Sequence, residues 1–249
     1  RESLRRTKLD WHVGAEDTGE RTFASVYDVW NACVWYFGDG LSTALRKIHR
    51  DIDALKSKSA KTFDSDGSIA AQMRRLWDRL RHRRRRAHVT WARMYGHLFR
   101  TVVRPHFNVS DMTRKKRRLS AAISRRMRSL GYYQFRCELA REARNAGTTV
   151  VYRGEAYTSK LCGKCGHYHR ELGRRKVFKC PKCNNVEERD GGAARKILLC
   201  WLHDKARDGF GTRPDDNTTI LPLRRDEINH DGDKGHVNAR TVKSSHSLN

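Results

Sequence analysis

Cys162-Gly-Lys-Cys165 and Cys180-Pro-Lys-Cys183 are two CxxC knuckles separated by fourteen residues. That spacing lets two tight turns present four thiolates tetrahedrally to one zinc ion. Redox CxxC pairs are the alternative reading. Two copies joined by a short basic stretch, with Gly166 and Asn184 just past the knuckles, fit a zinc ribbon better. Four thiolates close the coordination sphere, so a zinc ion on Cys162, Cys165, Cys180 and Cys183 is structural and activates no water. It contributes on the order of 10 kcal/mol to folding of the ribbon. His167 and His169 are expected on the surface, and Cys33, Cys137 and Cys200 as small buried hydrophobes within apolar-periodic segments.

Upstream of the knuckles, Thr148 to Arg153 alternates as a strand and leads to Gly154 and Glu155. Downstream, Asp190, Gly191, Gly192, Ala193 and Ala194 precede Ile197, Leu198 and Trp201, the pattern of a helix with an acid in its first turn. Near the start, Trp11, Val13, Ala15 and Asp17 share one parity, a strand ending on a carboxylate. Residues 22–28 and 32–37 are rich in aromatic and β-branched residues, which predicts three consecutive antiparallel strands. Leu41, Leu45, Ile48, Ile52 and Leu55 form the apolar stripe of a first helix. Met73, Trp77, Leu80, Arg84, Ala87, Trp91, Met94 and Leu98 predict a long second helix with a basic outer face, only Arg84 being out of character in the stripe. A short strand over 101–107, broken by Pro105, precedes a basic helical stretch that stops at Gly147. From about Asp208 onward periodicity vanishes, and a disordered tail is expected, with docked residues near Ile220 to Leu223.

Lysine and arginine total 53 against 28 aspartate and glutamate, a formal charge of +25. Solubility alone does not need that excess, and a polyanionic partner is the reason it favours. Arg83, Arg84, Arg85, Arg86 and the run Arg114, Lys115, Lys116, Arg117, Arg118 are candidate phosphate contacts. No stretch is apolar enough for a membrane span, and Arg1 through Lys8 lacks the apolar core of a signal peptide. An intracellular protein without a membrane partner is expected, its cysteines ligating metal rather than forming disulfides.

Three runs together bring a family into view. Tyr157 to Gly166, Phe178 to Cys183, and Arg189-Asp190-Gly-Gly-Ala-Ala-Arg195 resemble, in order and spacing, the transposon-encoded TnpB nucleases and their eukaryotic relatives, the Fanzor proteins. Asp17 to Ala24 looks like that family's first RuvC motif, and Pro105 to Met112 like its second. The resemblance runs from about Val13 to Leu199, and type V CRISPR effectors are also relatives. It implies an α/β fold: an RNase H-like RuvC domain, a mixed sheet flanked by helices, with an inserted zinc ribbon. The corresponding divisions are 9–156 for the first part of the RuvC-like domain, 157–188 for the ribbon, 189–207 for its last helix, and 208–249 for the tail. In such a sheet the strand ending at Asp17 lies beside the strand ending near His106, which pairs with the strand ending at Glu155.

By resemblance the activity is RNA-guided DNA cleavage, with DNA and a guide RNA as partners, a monomeric protein, and magnesium as the catalytic cofactor. Phosphodiester hydrolysis of this kind uses two hard cations about 4 Å apart, held by carboxylates from separate elements. Asp17 is then the strand ligand and Asp190 the helix ligand. Prokaryotic relatives carry a glutamate where this chain has His106, a poor magnesium ligand. The eukaryotic branch implies a glutamate displaced to the strand before the ribbon, matched here by Glu155. That leans toward the Fanzor branch, and toward the nucleus for a eukaryotic host. Glu16 replaces an apolar strand residue and Gly192 an asparagine, and the chain starts almost at the first RuvC strand, without the family's N-terminal half. Two other readings stay open: a nuclease-dead nucleic-acid-binding derivative or degraded transposon copy, and an unrelated zinc-ribbon RNA-binding protein.

Overall fold

A computed structural model describes residues 12–61, 67–113, 119–153, 160–169, 177–207 and 239–243. The three strands expected near the start are β1 (Val13–Thr18), β2 (Ala24–Asp28) and β3 (Cys33–Phe37), an antiparallel meander. Helices α1 (Leu41–Ser59) and α2 (Ser68–Leu98) follow, then β4 (Thr101–Pro105), which pairs parallel to β1. A single turn, α3 (Val109–Met112), precedes α4 (Ala121–Leu130) and α5 (Tyr132–Ala146). The basic stretch read as one helix is therefore interrupted: Gly131, at φ +67°, is both the C-cap of α4 and the N-cap of α5. That left-handed conformation costs a glycine little, and it turns the chain sharply between the two helices.

Strand β5 (Thr149–Arg153) pairs parallel to β4, so β1, β4 and β5 end at one edge of the sheet. The ribbon strands β6 (Val177–Lys179) and β7 (Val186–Glu188) form a separate hairpin that runs straight into α6 (Arg189–Arg207). One stretch within the expected tail differs from that expectation: Ala239–Lys243 forms β8 and pairs antiparallel with the outer edge of β3. Ile220 to Leu223 lie outside the described residues. The main sheet has the order β5-β4-β1-β2-β3-β8.

Period-two alternation divides the sheet into two faces. Val13 and Ala15 of β1 and Val103 of β4 pack under Ile197 and Leu198 of α6. The opposite face carries the larger core, where Val26, Phe37 and Val102 meet Leu45, Leu80, Trp91, Tyr95, Phe135 and Leu139 of the α1, α2 and α5 layer. Arg84, the exception in the α2 stripe, sits half-buried and donates from Nη1 to the Ser129 carbonyl at 3.2 Å, so its charge caps α4 rather than facing solvent.

Glu16 is the other anomaly in an apolar pattern, and it lies on the α2 and α5 face, fully buried. Its carboxylate accepts from Thr18 Oγ1 at 2.7 Å, Tyr95 Oη at 3.0 Å and Arg104 Nη2 at 2.9 Å. Burial works against the Arg104 charge, but Glu16 outweighs it and raises the guanidinium above its ordinary value. Removing one partner strands the other in the core, so Glu16→Ala is expected to destabilise the fold by about 3–5 kcal/mol. Urea unfolding measures this. The paired change Glu16→Leu with Arg104→Met should cost far less, because no uncompensated charge remains.

Candidate metal centre and acidic edge

In each knuckle a cysteine N–H closes back onto the chain five residues later: Cys162 N–H to the His167 carbonyl and Cys180 N–H to the Asn185 carbonyl, both at 2.9 Å. Gly166 N–H and Asn184 N–H return to the Cys162 and Cys180 carbonyls, both at 3.0 Å. The turns need left-handed residues at matching places, supplied by Gly166 at φ +69° and Asn184 at φ +54°. Two copies of one turn thus bring the four Sγ atoms within 4.8 Å of one another. Two of the pairs, Cys162 with Cys183 and Cys165 with Cys180, stand 3.6 Å apart.

That separation is far too long for a disulfide. It is close to the edge of a tetrahedron of sulfurs about 2.3 Å from a central zinc, roughly 3.8 Å. The thiols also cannot all ionise unaided. Burial pushes the Cys180 thiol up, but the backbone N–H groups of Cys183 and Lys182 outweigh it and bring it down to about 7. The Asn185 N–H favours a Cys183 thiolate, yet burial and the sulfurs of Cys165, Cys180 and Cys162 push that thiol up to about 12. A divalent cation among the four sulfurs relieves this repulsion. His167 and His169 are partly exposed, and neither belongs to the ligand cluster. Cys33 is buried as expected, whereas Cys137 and Cys200 are only partly so.

The ribbon is tied to α6 by a buried ion pair between Glu187 of β7 and Lys196 of α6, with the Lys196 ammonium 4.6 Å from the centre of the Phe178 ring. A Cβ at Gly192 would lie 2.9 Å from the Glu187 carboxyl carbon. Gly192 therefore makes room for this clasp.

Asp17 is the penultimate residue of β1 and partly exposed, on the face covered by α6. Its cross-strand partner is Ser25, and Ser25 in turn faces Tyr36. Partners in register share a sheet face, so Asp17, Ser25 and Tyr36 form one row. The first turn of α6 rests on the far end of that row, since a Cβ at Gly191 would meet Val34 at 3.0 Å and Tyr36 Oη at 3.3 Å. Asp190, the residue before it, is partly exposed in that first turn. Asp17 and Asp190 thus belong to the same layer, and among the described residues no third potential ligand completes a cluster with them. Glu155 lies outside the described residues. Arg153, two positions earlier, reaches α6, donating from Nε and Nη2 to Asp204 Oδ2 at 3.0 and 2.6 Å. His106 stacks on Tyr152 at 5.4 Å, and Tyr152 is the register partner of Arg104, whose side chain bonds Glu16 beneath the other face. The sequence reading missed this cluster of Arg104, Arg136 and Tyr152; its signal was an arginine inside the apolar strand Thr101 to Pro105.

Residues 132–197 match the family model of the Cas12f1-like, TNB domain. The chain is 31% identical over 176 residues to "Putative transposase A625R" of Paramecium bursaria Chlorella virus 1, a match covering 68% of this chain and 39% of that protein. It is 25% identical over 191 residues to the TnpB-like protein L79 of Acanthamoeba polyphaga mimivirus, covering 75% of this chain and 36% of the relative. The match to each of these curated relatives thus spans under two-fifths of the relative's length. Two solved structures share the fold. One is a Cas12f1–sgRNA–target DNA complex (TM-score 0.53, 20% identity, 74% of this chain and 48% of that one). The other is a CRISPR-Cas12f ternary complex (TM-score 0.59, 20% identity, 79% and 40%). The paired cysteine knuckles, the mixed sheet and these relatives together support a TnpB-family protein.

Proposed function

We propose that this chain is the RuvC-like nuclease core and zinc ribbon of an RNA-guided DNA endonuclease of the TnpB and Fanzor type, with residues 9–156 and 189–207 as the nuclease domain and 157–188 as the ribbon. The observation that carries the reading is the Asp17, Ser25, Tyr36 row, which has the strand-end acid Asp17 at one end and Gly191, the neighbour of the helix-start acid Asp190, resting on the other. The order β5-β4-β1-β2-β3, parallel from β5 to β1 and antiparallel from β1 to β3, supports an RNase H-like sheet. Glu155 follows the strand beyond β4 and is the third acid of the proposal.

Magnesium ions, when bound, activate the attacking water and stabilise the leaving oxygen. The chain's own residues hold and aim. Asp17 is fixed by the β1 ladder with β2, and Asp190 by the packing of Gly191 and Gly192 that follow it.

The basic helices supply the grip. Helix α2 turns Arg74, Arg75, Arg79, Arg83 and Arg86 outward, and α1 adds Arg46, Lys47 and Arg50. Within the Arg83 to Arg86 run, Arg84 bonds Ser129 and Arg85 stands 3.8 Å from Glu138, so Arg83 and Arg86 are the pair turned most to solvent. Binding to DNA or RNA should weaken steeply with salt, with a log–log slope of about −0.7 to −0.9 per phosphate neutralised. Replacing Arg83 and Arg86 by glutamine should make that slope shallower by about 1.5, with zinc content unchanged. A salt-independent affinity would refute the electrostatic grip.

A further inference from the structure

Beyond Pro105, on the sheet face away from α6, a cavity of about 730 Å³ opens between the end of β4, the α3 turn and the start of α5. That lies within the range of about 300–1,000 Å³ usual for small-molecule sites. Three arginines (Arg104, Arg128, Arg136) and three tyrosines (Tyr132, Tyr133, Tyr152) line it, and among the described residues no carboxylate does. Arg104 is 3% exposed and gives Nη2 to Glu16, but its Nε and Nη1 have no hydrogen-bond partner among the described residues. Nε of Arg136 is also buried without one. Buried donors in native proteins are normally satisfied, so unmet guanidinium N–H groups at a cavity wall point to an anionic acceptor from outside.

The rest of the wall is planar. The Arg136 guanidinium stands 4.6 Å from the centre of the Tyr152 ring, and the His106 ring stacks on Tyr152 at 5.4 Å with an interplanar angle of 29°. Burial and the Arg136 charge lower the His106 pKa, which keeps the imidazole a neutral stacking surface. Tyr133 stands at the rim, 62% exposed. No side chain caps the α5 N-terminus that opens here. A free phosphate would use the arginines and leave the rings idle, and an acidic peptide has no flat face to offer them. A nucleotide uses both, by base stacking and by phosphate contact.

We propose that this cavity receives one unpaired nucleotide of a nucleic-acid strand, with its base against His106, Tyr152 and Tyr133 and its phosphate on Arg104 and Arg136. The inference rests on the nucleic-acid reading above but concerns a different place, since neither Asp17 nor Asp190 lines the cavity.

The test uses the 249-residue chain and single-stranded hexanucleotides, in DNA and RNA form, carrying 2-aminopurine. Binding should quench the fluorescence through stacking. Arg136→Gln and Tyr152→Leu should each weaken hexamer binding about tenfold and abolish the quenching, while zinc content, far-UV circular dichroism and affinity for a blunt duplex stay at wild-type values. Gln134→Glu, at an exposed rim position, places a carboxylate beside the phosphate site without touching the core and should weaken binding similarly. Wild-type binding and quenching by folded Arg136→Gln, Tyr152→Leu and Gln134→Glu proteins would overturn the proposal and leave the nucleic-acid reading intact. Competition by adenosine monophosphate as effective as by the hexamer would overturn it in favour of a free-nucleotide site. Failure of the chain to bind any nucleic acid would remove both.

Discussion

Replacing Asp190 by asparagine in the full-length protein supplied with its guide RNA is expected to lower magnesium-dependent DNA cleavage by at least about 10³-fold, with target binding largely retained. Asparagine keeps the shape of the first turn of α6 and removes only the charge, so the loss would report on a metal-holding carboxylate rather than on folding. Asp17→Asn should match it, because the β1 register directs that side chain to the same layer. Glu155→Gln should match it too, whereas His106→Ala should spare the rate at saturating substrate, its effect falling on affinity. The reason is position: His106 stacks with Tyr152 at the cavity wall, which neither Asp17 nor Asp190 lines. Full cleavage by Asp190→Asn would end the nuclease assignment of these acids. Full cleavage by Glu155→Gln would end the relocation of the third ligand alone, and a wild-type protein that binds but never cuts would favour the nuclease-dead reading.

The parts of this molecule that were legible in advance are those written by local period. The knuckles, the meander of β1 to β3, and the stripes of α1 and α2 each repeat a spacing that one element alone dictates. The neighbour order β1, β4, β5 also follows the sequence reading, since it came with the resemblance. What escaped depends on partners distant in the chain. The segment Ala239–Lys243 becomes a strand because β3 offers an unpaired edge, which no local pattern in the tail announces. Arg84 reads as an error in an apolar stripe until the Ser129 carbonyl is seen above it. Gly131 did carry a local signal, a glycine in the middle of a helical pattern, and it marks the break between α4 and α5. For the acids, the sequence reading named Asp17 and Asp190, and the structure adds the row of residues that joins their elements.

Changing Cys162 or Cys183 to serine is expected to release the zinc and unfold the ribbon while the main sheet keeps its strand and helix signal. Among the described residues the ribbon's apolar core is Cys162, Phe178 and Cys180, with Cys165 and Cys183 against it, and so small a core is expected to need the metal to fold. Among the described residues its hairpin pairs β6 with β7, and neither strand joins the main sheet. The loss would nonetheless travel one step further. Strand β7 passes directly into α6, and the Glu187 carboxylate that clasps Lys196 and packs against Gly192 belongs to the ribbon. Without zinc that clasp loses its anchor, and the first turn of α6, which carries Asp190, loses one of the contacts that aim it. Cleavage should therefore fall with zinc content even though no sulfur takes part in the chemistry, and readdition of zinc to chelated wild-type protein should restore both together. Metal analysis, far-UV circular dichroism and cleavage on the same samples decide it: purified wild-type protein without zinc, a disulfide between the knuckles in reducing buffer, or a Cys162→Ser protein that retains a full equivalent of zinc would each show that these four thiolates do not form the site.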